Sequence, residues 1–304
     1  MNLEEPVVAA VFATMNRSAT ACGAVRALAG QTRPPQWVVV ADNGSEDGTV
    51  ADLRALGDLP FELVVESMAE NLGNAGGVAH AMEVAFERGA GAVWILDDDS
   101  VPRPNALEAL LGVVCSGERL VAAPLQLDPE RGGLTWPLLV RCGVGRDEEA
   151  AWKMVDGLTG VEALGPVFEV AAAWTGILLF RSAWEEVGAV DASWFIRGED
   201  EDYAARLSRA GYRFLLCRDA VLDHRGPARM IRWKIGGRYF FHEPGLPDWK
   251  MHYMIRNRVR RMRHDGRWCA AAVVAGLHGL AVVRHEGLRK LGVWARACRE
   301  GWVG

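Results

Sequence analysis

Apolar residues in the first hundred positions fall into short continuous runs, each followed by a helical pattern. Residues 7–14 and 37–41 carry no charge and read as strands covered on both faces. Residues 61–65 and 92–96 read as a third and a fourth strand. Between them, Ser18 is placed to cap a helix reaching about Gly30, a short helix runs to Leu56, and residues 74–88 form a helix stopped by Gly89. Repeated strand–helix–strand units imply a parallel sheet with right-handed crossovers, which binds ligands beyond the carboxyl ends of its strands. Asp42, Glu66 and Asp97-Asp98-Asp99 all stand at such ends, so a cleft there collects carboxylates.

Beyond residue 100 the pattern loosens. Residues 121–127 read as a strand, and residues 131–165 give no clear period. An apolar stretch over 169–180 is interrupted by Trp174-Thr175-Gly176. A helix over 199–210 ends at Gly211, residues 212–217 form a strand, and helices fill the chain from about Asp248. The expected fold is α/β, a mostly parallel sheet flanked by helices with a helical C-terminal extension. The expected division is a first domain over residues 1–225 and a basic, mainly helical region over 226–304.

Composition adds that the 304 residues, 50% hydrophobic and 24% charged, build a sizeable core. This excludes a disordered chain, a collagen and a small disulfide scaffold. The longest uninterrupted near-apolar run, residues 269–283, contains His278 and falls short of the roughly 18–20 residues of a membrane span. The start, Met1-Asn2-Leu3-Glu4-Glu5-Pro6, has no basic region before an apolar stretch, so a cytoplasmic protein is expected. Six scattered cysteines without a Cys-x-x-Cys pair read as reduced thiols and make a cysteine zinc site an unsuitable reading. Charge is uneven: residues 1–224 hold 17 Lys and Arg against 34 Asp and Glu, whereas residues 225–304 hold 17 against 5. The net −5 therefore divides into −17 and +12, an acidic body with a basic tail region.

Three adjacent carboxylates at Asp97-Asp98-Asp99 repel one another unless a cation lies among them. Alone they read equally as a solvated acidic turn. Their place at the end of a buried strand shifts the reading to a divalent metal, and oxygen ligands favour Mg²⁺ or Mn²⁺. Asp97 and Asp99, as alternate residues, can face one side. There is no Gly-x-x-x-x-Gly-Lys-Ser/Thr loop. Gly73-Asn74-Ala75-Gly76-Gly77 opens a helix whose amides suit a phosphate or a sugar hydroxyl, though a glycine-rich helix start is more often only a turn.

Read together, these pieces are specific. Thr14-Met15-Asn16-Arg17 ends the first strand, Asp42-Asn43-Gly44-Ser45 the second, Asn71-Leu72-Gly73-Asn74 precedes the third helix and Asp97-Asp98-Asp99 ends the fourth strand. This order resembles family-2 glycosyltransferases of the GT-A fold. The run Asn71-Leu72-Gly73-Asn74-Ala75-Gly76-Gly77, the segment Phe195-Ile196-Arg197-Gly198-Glu199-Asp200 and Arg256-Asn257-Arg258 bring the resemblance closest to actinobacterial galactofuranosyltransferases. The resemblance covers about residues 7–260 and implies a metal-dependent, inverting transfer from a nucleotide-sugar. It assigns Thr14, Arg17, Asp42, Asn43, Asn71, Asn74 and Asp98 to the donor, and Asp97, Asp99 and His224 to Mn²⁺ or Mg²⁺. It places Trp174, Thr175, Gly176 and Asp202 beside the acceptor. The acidic pair Glu199 and Asp200 supplies the general base. Adjacent helical positions differ by about 100°, so both cannot face one cleft, and Asp200 is expected as base with Glu199 positioning the acceptor hydroxyl. UDP-galactofuranose is the first donor and dTDP-rhamnose or another furanosyl donor the second, with a glycan, glycolipid or small-molecule acceptor.

Other classes fit less well. A nucleotidyltransferase needs a glycine-rich basic loop after strand one, which Thr14-Met15-Asn16-Arg17-Ser18 lacks, and a dead binding module would not keep the acidic and His224 set. The basic segment 256–267 suits a membrane surface or lipid phosphate, a partner chain of a homo-oligomer, or plain solvation. No stacking motif accompanies it, so nucleic acid is not an expected partner. Trp268, Val273, Val274, Leu277 and Leu280 form an apolar face suited to packing on the domain or to dimerisation.

Overall fold

The uncharged run after Pro6 becomes β1 (Val8–Thr14), buried along its whole length. The computed structural model describes residues 6–114, 118–142, 151–235 and 238–304; the acidic start Met1 to Glu5 and Cys115 lie outside them. Next come α1 (Ser18–Ala29), β2 (Trp37–Asp42), α2 (Thr49–Arg54), β3 (Glu62–Ser67), α3 (Gly73–Glu87) and β4 (Ala92–Ile95). Parallel pairing aligns Thr14 with Asp42 and Asp42 with Ser67, so the carboxyl ends of three strands lie level. Ser18 does not cap α1. It is the first helical residue, and its hydroxyl donates to Asp52, because the preceding Arg17 takes the boundary position.

The chain continues through β5 (Val101–Pro102), α4 (Ala106–Leu111), β6 (Leu120–Asp128), β7 (Gly133–Leu134), β8 (Leu138–Cys142) and β9 (Ala151–Val155). Then follow α5 (Leu158–Glu162), β10 (Val167–Val170), β11 (Leu178–Phe180), α6 (Arg181–Val187), α7 (Glu199–Arg209) and β12 (Arg213–Asp223). The sheet order is β3-β2-β1-β4-β11-β6-β12-β10-β8-β9. The first four strands are parallel, β11 runs antiparallel to β4 and β6, and β6 and β12 are again parallel. Because β11 is reversed, the residues that lead into it lie at the carboxyl end of β4. That reversal brings Trp174-Thr175-Gly176 to the acidic strand end. β12 is longer than the expected 212–217 strand: it continues past an irregularity between Cys217 and Val221 and carries the chain to His224.

Two compact units divide the chain, one of residues 1–192 and 203–226, the other of residues 193–202 and 227–304. In the first, Phe12, Leu28, Trp94, Leu107 and Leu110 are among the fully buried core side chains. In the second, β13 (Ile231–Ile235) and β14 (Arg238–His242) form an antiparallel hairpin, followed by α8 (Asp248–His264), α9 (Trp268–His285) and α10 (Leu291–Val303). Leu246, Met251, Met254, Ile255, Val282 and Ala297 form its core. The buried rings of His242 and His278 meet there, Nδ1 to Nδ1 at 3.0 Å. Burial pushes His242 down to about 4 and His278 well below its ordinary value. By length and composition alone α9 is able to cross a membrane, and most of it is not buried in the protein. His278 and Arg284 lie within its 18 residues, which is why no uninterrupted apolar run marks it.

Candidate active site

Residues Asp97 to Asp99 leave the end of β4 with alternating direction. Asp98 turns inward: Thr14 Oγ1 donates to its Oδ2 at 2.8 Å and Arg17 Nη1 to its Oδ1 at 2.6 Å. Arg17 Nη2 also donates to Asp99 Oδ2 at 3.0 Å, so one guanidinium bridges two carboxylates. Asp97 and Asp99 converge instead on His224, whose Nε2 lies 3.3 Å from Asp99 Oδ1 and 3.9 Å from Asp97 Oδ2. The backbone places the imidazole: His224 N donates to Leu127 O, and Thr135 Oγ1 donates to His224 O. Thr175 Oγ1 donates to Asp97 Oδ2 at 2.7 Å.

Burial, the strongest influence on Asp97, pushes it above the usual carboxylate range despite His224 and Thr175. Burial likewise lifts Asp98 to about 6 against the pull of Arg17 and Thr14. It acts upward on Asp99 too, but hydrogen bonds with His224 and Arg17 outweigh it and hold that carboxyl well below its ordinary value. Burial works against the His224 cation, yet Asp99 and Asp97 together raise it. The ligating atoms of Asp97, Asp99 and His224 all lie within 4.8 Å of one another. Two carboxylate oxygens and an imidazole nitrogen at that spacing fit a divalent cation. Thr175 and Arg17 give this set the outer support that fixes ligand direction.

The neighbouring loops are tied to one another. Asn16, in the left-handed region at φ 52°, accepts at Oδ1 from Glu46 N, while its own N donates to Ser45 Oγ. Asp42 is buried; its Oδ2 accepts from Ser45 N and its Oδ1 has no partner among the described residues. Asn43 grips the turn into α3, donating to Gly73 O and accepting from Leu72 N. Asn71 Oδ1 accepts from Gly73 N, so one amide of the glycine-rich helix start is already engaged. Asn74 sits in the first turn of that helix. A Cβ on Gly77 would come within 2.6 Å of Ala13 Cβ and 2.9 Å of Asn43 Nδ2. Close packing on β1, rather than a phosphate, is therefore enough to explain that glycine.

Glu199, Asp200 and Asp202 belong to segment 193–202 of the second unit. Phe195 and Arg197 hold φ values of 65° and 63°, a costly conformation for bulky residues. Asn257 of α8 holds them there. Its Nδ2 lies 3.0, 2.8 and 2.8 Å from the carbonyl oxygens of Trp194, Ile196 and Arg197. Arg256 Nε donates to Asn257 Oδ1, which fixes the amide's orientation. Gly198 has φ 142°, and a Cβ there would approach Asn257 Cβ to 2.9 Å. Glu199 is buried, and Asp200 Oδ1 accepts from Gly198 N at 3.1 Å.

Thr14, Arg17, Asp97, Asp98, Asp99, Thr175 and His224 thus form one bonded cluster, with Thr175 on the acid cluster. Trp174 meets Tyr203 edge-on, with ring centroids 6.0 Å apart, and Gly176 O accepts from Trp94 Nε1. Sequence reasoning overlooked Asn16, whose signal was an Asn at a strand-end turn, and gave Asn257 no role within its motif.

The Glycosyl transferase family 2 model matches residues 10–157, which run from β1 through the acidic loop. Galactofuranosyltransferase GlfT1 of Mycobacterium tuberculosis is 29% identical over 263 residues, covering 83% of this chain and 80% of that protein. This chain is a glycosyltransferase with a family-2 domain over residues 10–157. N-acetylglucosaminyl-diphospho-decaprenol L-rhamnosyltransferase of the same organism is 28% identical over 272 residues, covering 76% of this glycosyltransferase and 87% of the relative. Two solved structures share the GT-A fold. GalNAc-T7 with UDP, GalNAc and Mn²⁺ gives a TM-score of 0.58 at 14% identity, over 86% of this chain and 49% of that one. A Pyrobaculum calidifontis mannosyltransferase with GDP-Man and Mn²⁺ gives 0.54 at 17% identity, over 99% and 77%.

Proposed function

We propose that this glycosyltransferase moves galactofuranose from its UDP donor to a hydroxyl of a lipid-linked cell-wall glycan, in a metal-dependent single displacement that inverts the anomeric carbon. The observation that carries this reading is the convergence of Asp97, Asp99 and His224 beside Arg17 at the end of β4. Asp97, Asp99 and His224 would hold a Mn²⁺ or Mg²⁺ ion, which would supply positive charge for a departing diphosphate. Asp42, with one buried carboxylate oxygen that has no partner among the described residues, and Asn43 receive the nucleoside, while Thr14, Arg17 and Asp98 set the wall against which the donor rests. Asn71 and Asn74 line the donor side from the start of α3. Asp200 accepts the proton of the attacking hydroxyl, and Glu199 orients that hydroxyl. Trp174, Gly176 and Asp202 face the acceptor. The reaction takes place on the cytoplasmic side of the membrane that carries the acceptor.

Similarity to GlfT1 supports the galactofuranosyl donor. The rhamnosyltransferase relative favours a second reading with dTDP-rhamnose, and its name carries a diphospho-decaprenol acceptor, which supports a lipid-linked acceptor for either donor. Thermal shifts with a panel of nucleotide-sugars and Mn²⁺ decide between donors, since binding stabilises by RT ln(1 + [L]/Kd). UDP-galactofuranose is expected to raise Tm most, and the rise to vanish with EDTA. A larger, Mn²⁺-dependent shift with dTDP-rhamnose selects the second reading, and no shift with any nucleotide-sugar overturns both.

A further inference from the structure

Helix α9 reverses the usual arrangement of a surface helix. Cys269, Ala272, Val273, Gly276, Leu280 and Val283 recur at intervals of one to four residues and are all exposed, with Val273 and Leu280 each 56% accessible. The exposed stripe is about 21 Å long and has no charged residue until Arg284. A helix apolar on all sides is ordinarily covered on all sides. Here the opposite face is fixed: His278 meets His242, Val282 joins the unit's core, and Trp294 packs against Gly279. A helix held this way along one face lies flat on whatever covers the other and does not span it.

The surroundings of the stripe identify the cover. Exposed Arg267 precedes it, and exposed Arg284 and Arg289 follow it. At the Leu280 end opens a groove of about 580 Å³, lined by Arg229, Met230, Ile231, Trp233, Leu280, Arg284 and His285. None of Arg229, Arg267, Arg284 and Arg289 makes a salt bridge among the described residues. Trp268 and Trp302, both exposed, meet edge-on at the other end of the helix. Apolar surface bracketed by arginines and tryptophans matches the boundary between head groups and acyl chains. A second copy would set a like-charged +12 region against its own kind, whereas anionic lipid is complementary.

We propose that the α9 stripe docks on an anionic bilayer, with Val273, Leu280 and Val283 entering the acyl boundary and the Arg229–Arg284 groove taking a lipid phosphate. This inference is independent of the donor assignment. Co-sedimentation with vesicles of phosphatidylglycerol and phosphatidylcholine, or of phosphatidylcholine alone, tests it. The wild type is expected to bind the anionic vesicles at low salt, to release as salt rises, and to ignore millimolar inorganic phosphate. The pairs Val273→Glu with Leu280→Glu, and Arg229→Glu with Arg284→Glu, are each expected to weaken binding at least tenfold. Circular dichroism and the nucleotide-sugar thermal shift, read without vesicles, verify folding and report separately on the donor reading. Wild type that stays in the supernatant with anionic vesicles overturns the proposal, as do folded variants that bind like wild type. A stripe variant that turns a dimer into a monomer in sedimentation velocity, with vesicle binding unchanged, assigns the face to a second copy instead.

Discussion

At the scale of single residues, Glu199 and Asp200 are neighbours at the start of α7 with divergent directions. Asp200→Asn keeps the shape and the hydrogen bond to Gly198 N but cannot take a proton. It is expected to lower kcat by about 10²–10⁴ and to leave donor affinity nearly unchanged. Steady-state kinetics beside a donor titration check this; near-normal kcat in Asp200→Asn with no turnover in Glu199→Gln exchanges the two roles. Thr175 poses a similar choice, since its hydroxyl donates to Asp97. Thr175→Val is expected to weaken Mn²⁺ binding about 10–100-fold, as loss of an outer partner of a metal ligand does. Unchanged Mn²⁺ affinity with a raised KM for the acceptor would return Thr175 to the acceptor. Asp97, Asp99 and Asp98 were legible in the sequence because a buried strand fixes where its carboxyl end lies. The sequence offered Thr175 as a candidate beside the acceptor, but its contact with Asp97 depends on the reversed direction of β11, which no local pattern carries.

Among elements, α8 sets the strained approach to α7 through one side-chain amide. Two N–H donors serve three carbonyl oxygens, so Asn257→Ala leaves all three without that donor. A loss of about 1–3 kcal/mol in urea unfolding is expected, along with a fall in kcat as Phe195 and Arg197 relax from the left-handed region. A variant with wild-type stability and turnover would show that the stacked rings of Phe195 and Tyr253 hold the segment unaided. β1, β2 and β4 could be read from the chain because both faces are covered and their apolar runs are unbroken. β8 and β9 could not be read: at the sheet edge β9 buries only Val155, and β8 only Val140. An edge strand with one or two inward residues leaves too little periodicity to distinguish it from a loop.

For the molecule as a whole, acid should act on the second unit through its buried histidine pair. Burial lowers His242 to about 4 in the folded state against an ordinary 6.5, and lowers His278 well below that same ordinary value. Between those values the unfolded chain binds more protons, so stability is complete above about pH 6.5 and falls as pH drops toward 4. His242 loses on the order of 1 kcal/mol of stabilisation for every pH step of one across that window, and the lowered His278 acts in the same direction. Hydrogen exchange corrected for intrinsic rates is expected to show residues 238–285 opening more readily at pH 5 than at pH 7.5. Equal protection at both values would remove the histidines from the account. The charge asymmetry behind the second unit stood plainly in the sequence, but the membership of residues 193–202 in it did not, because that rests on contacts made across 46 or more positions. The same interleaving gives the protein a timetable. Translation at roughly 5–20 residues per second delivers Asn257 about 3–12 s after Arg197. Throughout that interval the carbonyls of residues 194, 196 and 197 wait without their donor, and Trp194, 2% exposed in the finished fold, waits without its cover. A nascent chain halted after Gly226 would therefore carry Asp97, Asp99 and His224 complete, while the acidic segment that begins α7 had still to find its shape.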